Sequence, residues 1–252
     1  MTFTEERNAR RRRAVRRAAR WLAAALVAAL LCLAATRQVA RARTFQLFGQ
    51  LVDRVDTTAP LVALTFDDGP TAVRLGEVLD VLARRRVAAT FFVTGAELAA
   101  NPDAGRRLVA AGHELGNHTY SHARMVLRSP AFIRRQVEQT DALIRAAGQD
   151  GEIHFRPPFG YKLVGLPWYL ARTGRTTVTW DVEPDSFPAV AATARGIVEH
   201  VVERVRPGSI VLLHVWYANR QTSRDAVPLL IDALHARGYR FVTVRQLLRS
   251  AP

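Results

Sequence analysis

From residue 61 onward, short apolar runs alternate with segments of helical period. The runs 61–66, 90–93, 114–117, 153–156, 176–180, 210–214 and 241–244 read as strands. Between them, 74–86, 104–111, 130–147, 166–172, 190–205 and 225–237 carry apolar residues three and four apart and read as helices. Pro207-Gly208 and Gly238 mark turns that feed strands. Strands that alternate with helices predict a parallel sheet with helices outside, either open or closed into a barrel.

The polar residues favour closure. They fall at the C-terminal ends of successive strands: Asp67 and Asp68, then His118, Arg156, Asp181 and Asp185, and His214. In a (β/α) barrel those ends converge on one face, whereas an open sheet spreads them along a line.

The chain has 252 residues, 49% of them hydrophobic, enough for one core of ordinary size and a tail. The formal charge of +14 invites a nucleic-acid reading, but residues 1–43 hold eleven Arg against two Glu and leave only +5 for the rest. Lys162 is the sole lysine, and no aromatic-and-basic pattern accompanies the arginines, so no nucleic-acid partner is expected.

The basic block 10–20 is followed by fifteen uncharged apolar residues, 21–35. The positive-inside rule keeps that block cytoplasmic and sends the C-terminal part across the membrane. An uncleaved anchor at the inner or plasma membrane is the favoured reading, and a cleaved signal peptide ending near Ala40-Arg41-Ala42 is the alternative. The expected organisation is a basic segment 1–20, an apolar segment 21–35, a linker 36–59 and a globular domain 60–252 outside the cytoplasm. The single cysteine, Cys32, lies in the apolar segment and allows no intrachain disulfide. Nothing in the sequence sets the oligomeric state.

Chemistry concentrates in two places. Thr65-Phe66-Asp67-Asp68-Gly69-Pro70 puts two carboxylates at the end of a buried strand, where they need a partner or a cation. About fifty residues on, His118 and His122 stand four apart and project to one side if that loop turns helically. Two imidazoles and the Asp68 carboxylate leave a tetrahedral ion one position for water, as in a catalytic zinc site. The same donors would also take cobalt, nickel or manganese. No serine or cysteine nucleophile sits in a G-x-S-x-G elbow. Trp216 and Tyr217, just after His214, offer aromatic faces for stacking on a ligand ring, whereas Trp168 and Trp180 read as core. Asp181 and Glu183 read as loop acids, at least one of them solvated.

TFDDGP at 65–70, HTYSH at 118–122, RPPFG at 156–160, WDVEPDS at 180–186 and LLH at 212–214 together resemble the five ordered motifs of the polysaccharide deacetylases, the NodB-homology domain of carbohydrate esterase family 4. The resemblance spans about residues 60–248. It implies a distorted (β/α) barrel of seven or eight strands. It implies Asp67 as general base, with Asp68, His118 and His122 as metal ligands. It implies Arg156 as the brace of the base and the Phe159 backbone N–H as an oxyanion donor. It implies His214 as general acid, oriented by Asp185.

Where the fourth motif usually continues with Asp-Trp, this chain has Asp185 followed by Ser186 and Phe187; Val215 replaces the aspartate usual after the fifth-motif histidine. The implied substrate is an N-acetylated glycan, peptidoglycan or a chitin-like polymer. A deformylase or deacetylase of a lipid-linked sugar, and a silent carbohydrate-binding module on a membrane stalk, are the alternatives.

Overall fold

The computed structural model describes residues 3–251. The chain divides between Ala40 and Arg41 into two compact units. Helix α1 (Phe3–Arg41) contains the stretch Arg16–Arg41, long and apolar enough to cross a membrane, within which an 18-residue window reaches a mean hydropathy of 2.0.

The second unit contains strands β1 (Leu51–Val52), β2 (Leu61–Asp67), β3 (Thr90–Val93), β4 (Glu114–Asn117), β5 (Thr177–Val178), β6 (Ile210–His214) and β7 (Arg240–Phe241). Its helices are α2 (Ala72–Arg85), α3 (Gly95–Ala100), α4 (Pro102–Ala110), α5 (Pro130–Ala146), α6 (Gly165–Arg172), α7 (Pro188–Ala191), α8 (Ala194–Arg204), α9 (Gln221–Ala236) and α10 (Val244–Leu248). The strands pair in parallel in the order β4-β3-β2-β6, with β7 beside the start of β2 and β1 beside β5. Single parallel bridges extend this pairing: Asn117 to Phe155, Phe155 to Thr177, and Val182 to Val211. This arrangement is consistent with the expected distorted barrel.

Parity along the strands separates inside from outside, because successive side chains point to opposite faces. In β2, Val62, Leu64 and Phe66 join Phe91, Val93, Val211 and Leu213 in a layer under the helices. Leu61 and Ala63 join Phe92, Val178, Trp180, Ile210 and Leu212 in a second, interior cluster. All seven residues of β2 are buried, as expected for a parallel strand covered on both faces. The outer layer is closed by helix stripes such as Leu75, Val78 and Leu82 on α2.

Local chemistry fixes the helix ends. Ser129 accepts from the Phe132 N–H with Pro130 at the first helical position of α5. Thr243 and Gln246 form a reciprocal capping box that starts α10. That box overrides the β-branched run 241–244 read as a strand, leaving only Arg240–Phe241 paired. The expected strand 153–156 contributes a bridge at Phe155 alone, since Pro157-Pro158 follow at once. Segment 36–59, expected to be a linker, contains β1 and the buried Val55.

Candidate active site

In β2 and β6 the interior parity, followed to the C-terminal end, runs into a polar side chain. Residues 61, 63, 65 and 67 bring Asp67 into the barrel mouth, and 210, 212 and 214 bring His214 beside it in register. Asp67 is nearly fully buried and accepts from Arg156 Nη1 at 2.6 Å. Arg156 is itself inaccessible. Its guanidinium lies 3.9 Å above the centre of the Phe92 ring and donates to Thr65 Oγ1 and to the Thr179 carbonyl. Burial raises the Asp67 pKa, but Arg156, His118 and His214 outweigh it and hold the carboxyl below its ordinary value.

Asp68 leaves the strand with φ of +70°, and Gly69 follows at +61°. A Cβ on Gly69 would lie 2.6 Å from the Trp216 ring, so only glycine fits this turn. Glu97 secures it from outside, accepting from the Gly69 N–H at 2.6 Å and from Thr94 Oγ1 and the Tyr217 hydroxyl.

His118 and His122 converge with Asp68: one ligand atom from each lies within 4.8 Å of the others. The expected helical turn does not form. Instead, Thr119 at φ +68° and His122 at φ +54° fold the loop back. Asn117 anchors it, its side-chain oxygen accepting from the Thr119 N–H and its amide donating to the Val137 carbonyl and to Asp141. His118 Nδ1 donates to the Arg156 carbonyl at 2.8 Å, which leaves the Nε2 lone pair facing the cluster. Burial pushes His118 below its ordinary pKa and favours the neutral, ligating imidazole. Asp68 Oδ1 lies 3.2 Å from His122 Nε2, yet it is buried without a hydrogen bond among the described residues. An orphaned carboxylate oxygen facing two imidazole nitrogens fits a divalent cation.

Across the mouth, His214 Nδ1 donates to Asp185 Oδ1 at 3.1 Å. The other Asp185 oxygen accepts from the His214 N–H and Ser223 Oγ. Burial opposes charge on His214, but Asp185, with Asp67 and Asp68 beyond it, brings its pKa up to about 9. Phe159 sits at φ +58° in a single 3-10 turn after Pro157-Pro158, its ring 4.6 Å from that of His122.

These groups border a cleft of about 540 Å³. Asp67, Asp68, His118, His122, Phe159 and His214 line it, with Arg156 and Asp185 directly behind. Trp216 is not among them. It is 2% exposed, packed between Gly69 and Phe91 in the outer layer, so its expected role as a sugar platform is corrected to core. Tyr217 is exposed beside the Asp68 turn, outside the lining. Trp180, read as core, is buried but presents a face to the cleft and donates to Glu183.

Neither loop acid is free: Asp181 accepts from Ser209 and the Ile210 N–H, and Glu183 accepts from Trp180 and Ser186. Phe187, half exposed, lines the side where the family's usual tryptophan is missing. Sequence reasoning missed Leu212, which its interior parity could have flagged. It also missed Arg41, Arg43 and Arg220, for which no local signal exists.

Residues 54–178 match the family profile described as polysaccharide deacetylase. The chain is 41% identical over 212 residues to the chitooligosaccharide deacetylase of Sinorhizobium fredii, an alignment covering 80% of this chain and 94% of that one. It superposes with a TM-score of 0.75, at 29% identity, on a peptidoglycan N-acetylglucosamine deacetylase crystallised with a hydroxamate, 4-naphthalen-1-yl-N-oxidanyl-benzamide. That match covers 80% of this chain and 94% of the other. A family 4 pseudoenzyme from Bacillus anthracis superposes at 0.72 and 26% identity, covering 81% of this chain and 71% of its own. By sequence similarity over four-fifths of its length and by fold, the chain belongs to the polysaccharide deacetylase family, carbohydrate esterase family 4.

Proposed function

We propose that the protein is a metal-dependent N-deacetylase acting on an N-acetylated glycan outside the cytoplasm. The observation that carries this reading is the pairing of two carboxylates with opposite surroundings. Asp67 is tied to a buried guanidinium, whereas Asp68 is left unsatisfied between two imidazoles. A binding-only surface has no need of either.

Asp68, His118 and His122 would hold the cation, for which their nitrogen and oxygen donors suit zinc, with cobalt, nickel and manganese as further candidates. Such an ion supplies Lewis acidity and lowers the pKa of water to about 7. Asp67, kept ionised and oriented by Arg156, accepts the proton of the attacking water. Phe159 lines the cleft, and its backbone N–H is assigned as the donor to the developing oxyanion. His214, held protonated by Asp185, delivers a proton to the departing amine, which leaves poorly otherwise. Phe187 takes the place of the missing tryptophan as apolar wall.

Residues 21–35 are assigned to the bilayer as an anchor, with the arginines of 10–20 on the cytoplasmic side and the catalytic domain outside. The chitooligosaccharide and peptidoglycan deacetylases among its relatives support an N-acetylglucosamine-containing substrate. The test is product analysis with the full chain in detergent, supplied with zinc and offered N-acetylglucosamine oligomers and peptidoglycan. Acetate release abolished by chelation and by His118→Ala supports the reading. Zinc binding without acetate moves the activity to a deformylase, read as formate from a lipid-linked sugar, or to a silent binding role.

A further inference from the structure

One wall of the cleft is built from residues 41–43, where helix α1 ends. Arg41 and Arg43 both line it, although they precede the catalytic motifs by more than twenty residues. Their backbone is clamped from the domain side. Lys162, the chain's only lysine and 1% exposed, donates to the Ala42 carbonyl. Thr179, fully buried, donates to the Arg43 carbonyl at 2.6 Å. Burying an ammonium group costs free energy, and here it goes to a carbonyl rather than a carboxylate, so the contact fixes position rather than balancing charge.

The guanidinium groups held this way are only loosely engaged by the protein, Arg43 through a long ion pair with Glu183. Arg43 stands 3.9 Å from Glu183 and 5.9 Å from the Trp180 ring, and Arg41 stands 5.6 Å from the Tyr161 ring. Neither donates a side-chain hydrogen bond among the described residues. The acids of the cleft are already engaged: Asp67 by Arg156, Asp68 in the cation cluster, Glu183 by the Trp180 indole and Ser186. Arg220 lines the same cleft with one N–H given to the Asp185 carbonyl. The wall therefore offers two planar forks whose N–H groups donate no hydrogen bond among the described residues, the geometry that recognises carboxylate and phosphate in two-point fashion.

We propose that Arg41 and Arg43 form a subsite for an anionic group, a carboxylate or phosphate, carried by the glycan beside the acylated sugar. This rests on the deacetylase reading and narrows its substrate class: neutral chitin-like oligomers are the poorer substrates. The carboxylate could be the lactyl group of a muramic acid residue, and the phosphate that of a lipid-linked or phosphorylated sugar.

The experiment uses the full zinc-loaded chain in detergent with two matched substrate pairs. The first is the disaccharide of N-acetylglucosamine and N-acetylmuramic acid against its neutral methyl ester. The second is N-acetylglucosamine 1-phosphate against the neutral methyl glycoside. The wild type is expected to favour at least one charged member by about tenfold or more in kcat/KM, through KM. Arg41→Gln with Arg43→Gln, both at exposed positions, should bring that ratio close to one. Preference in the first pair points to cell-wall glycan, and in the second to a phosphorylated sugar. Equal rates within both pairs, or a preference that survives the double substitution, would overturn the subsite and leave these arginines as flanking charges of the apolar helix. Should no member be hydrolysed, the deacetylase reading fails separately. The same ratios are then read as dissociation constants by calorimetry, with the same outcomes for the subsite.

Discussion

At the scale of single residues, the two neighbouring aspartates have unequal tasks, and substitution should separate them. Asp67→Asn removes the proton acceptor but none of the three cation donors. It should lower kcat/KM by about 10²- to 10⁴-fold while zinc affinity, measured by calorimetry, changes little. Asp68→Ala should instead abolish stoichiometric zinc binding. The pH profile reports the opposite side of the mouth. His214 must be protonated to act as an acid, and its pKa is brought up to about 9, so the proton is in place at pH 7 and lost as pH rises through 9. The alkaline limb of kcat/KM should fall there. Asp185→Asn removes the carboxylate that outweighs burial and should move that limb to lower pH. An unmoved limb would remove His214 from the acid role.

At the scale of elements, the site depends on how strands end rather than on the strands themselves. Asn117 closes β4 and carries the loop that presents both histidines, using its side chain three times. Asn117→Ala leaves the Val137 carbonyl and the Thr119 N–H without these partners, at about 1–3 kcal/mol for each buried group left unsatisfied. Urea titration should show a loss of that order, with weaker zinc binding because Thr119 and His122 hold left-handed backbone conformations.

Much at this scale was legible beforehand. Strands 90–93, 114–117 and 210–214 are the observed ones, and their residues are buried almost throughout. What escaped was decided by short-range chemistry. The Thr243–Gln246 box made a helix out of a β-branched run, and a glycine opening hid α3. The histidine pair was found by a spacing argument whose helical premise was wrong. The two residues converge because the loop turns through positive φ, which no four-residue spacing encodes.

At the scale of the whole molecule, the barrel gathers Asp67, His118, Arg156 and His214 from sequence positions 147 residues apart. The motifs made that gathering readable because each lies at a strand end. Trp216 was misread because it lies only two residues after His214. Once the strand ends, the turn carries its ring under Gly69 instead of into the cleft. The wall formed by Arg41 and Arg43 was unreadable, since nothing local links residues 41–43 to Lys162 and Thr179. Cation binding to the assembled site should stabilise the fold by mass action, about 2.7 kcal/mol at a hundredfold excess over Kd. A melting temperature that rises with zinc and returns on chelation checks this, and Asp68→Ala should show no rise.

The most direct single measurement is acetate release from peptidoglycan by the zinc-loaded full chain, set beside Asp67→Asn loaded with the same amount of zinc. The expected result is acetate from the first and almost none from the second, with equal metal content. Equal acetate from both, or none from the first against any N-acetylated glycan, would contradict a deacetylase in which Asp67 serves as the base.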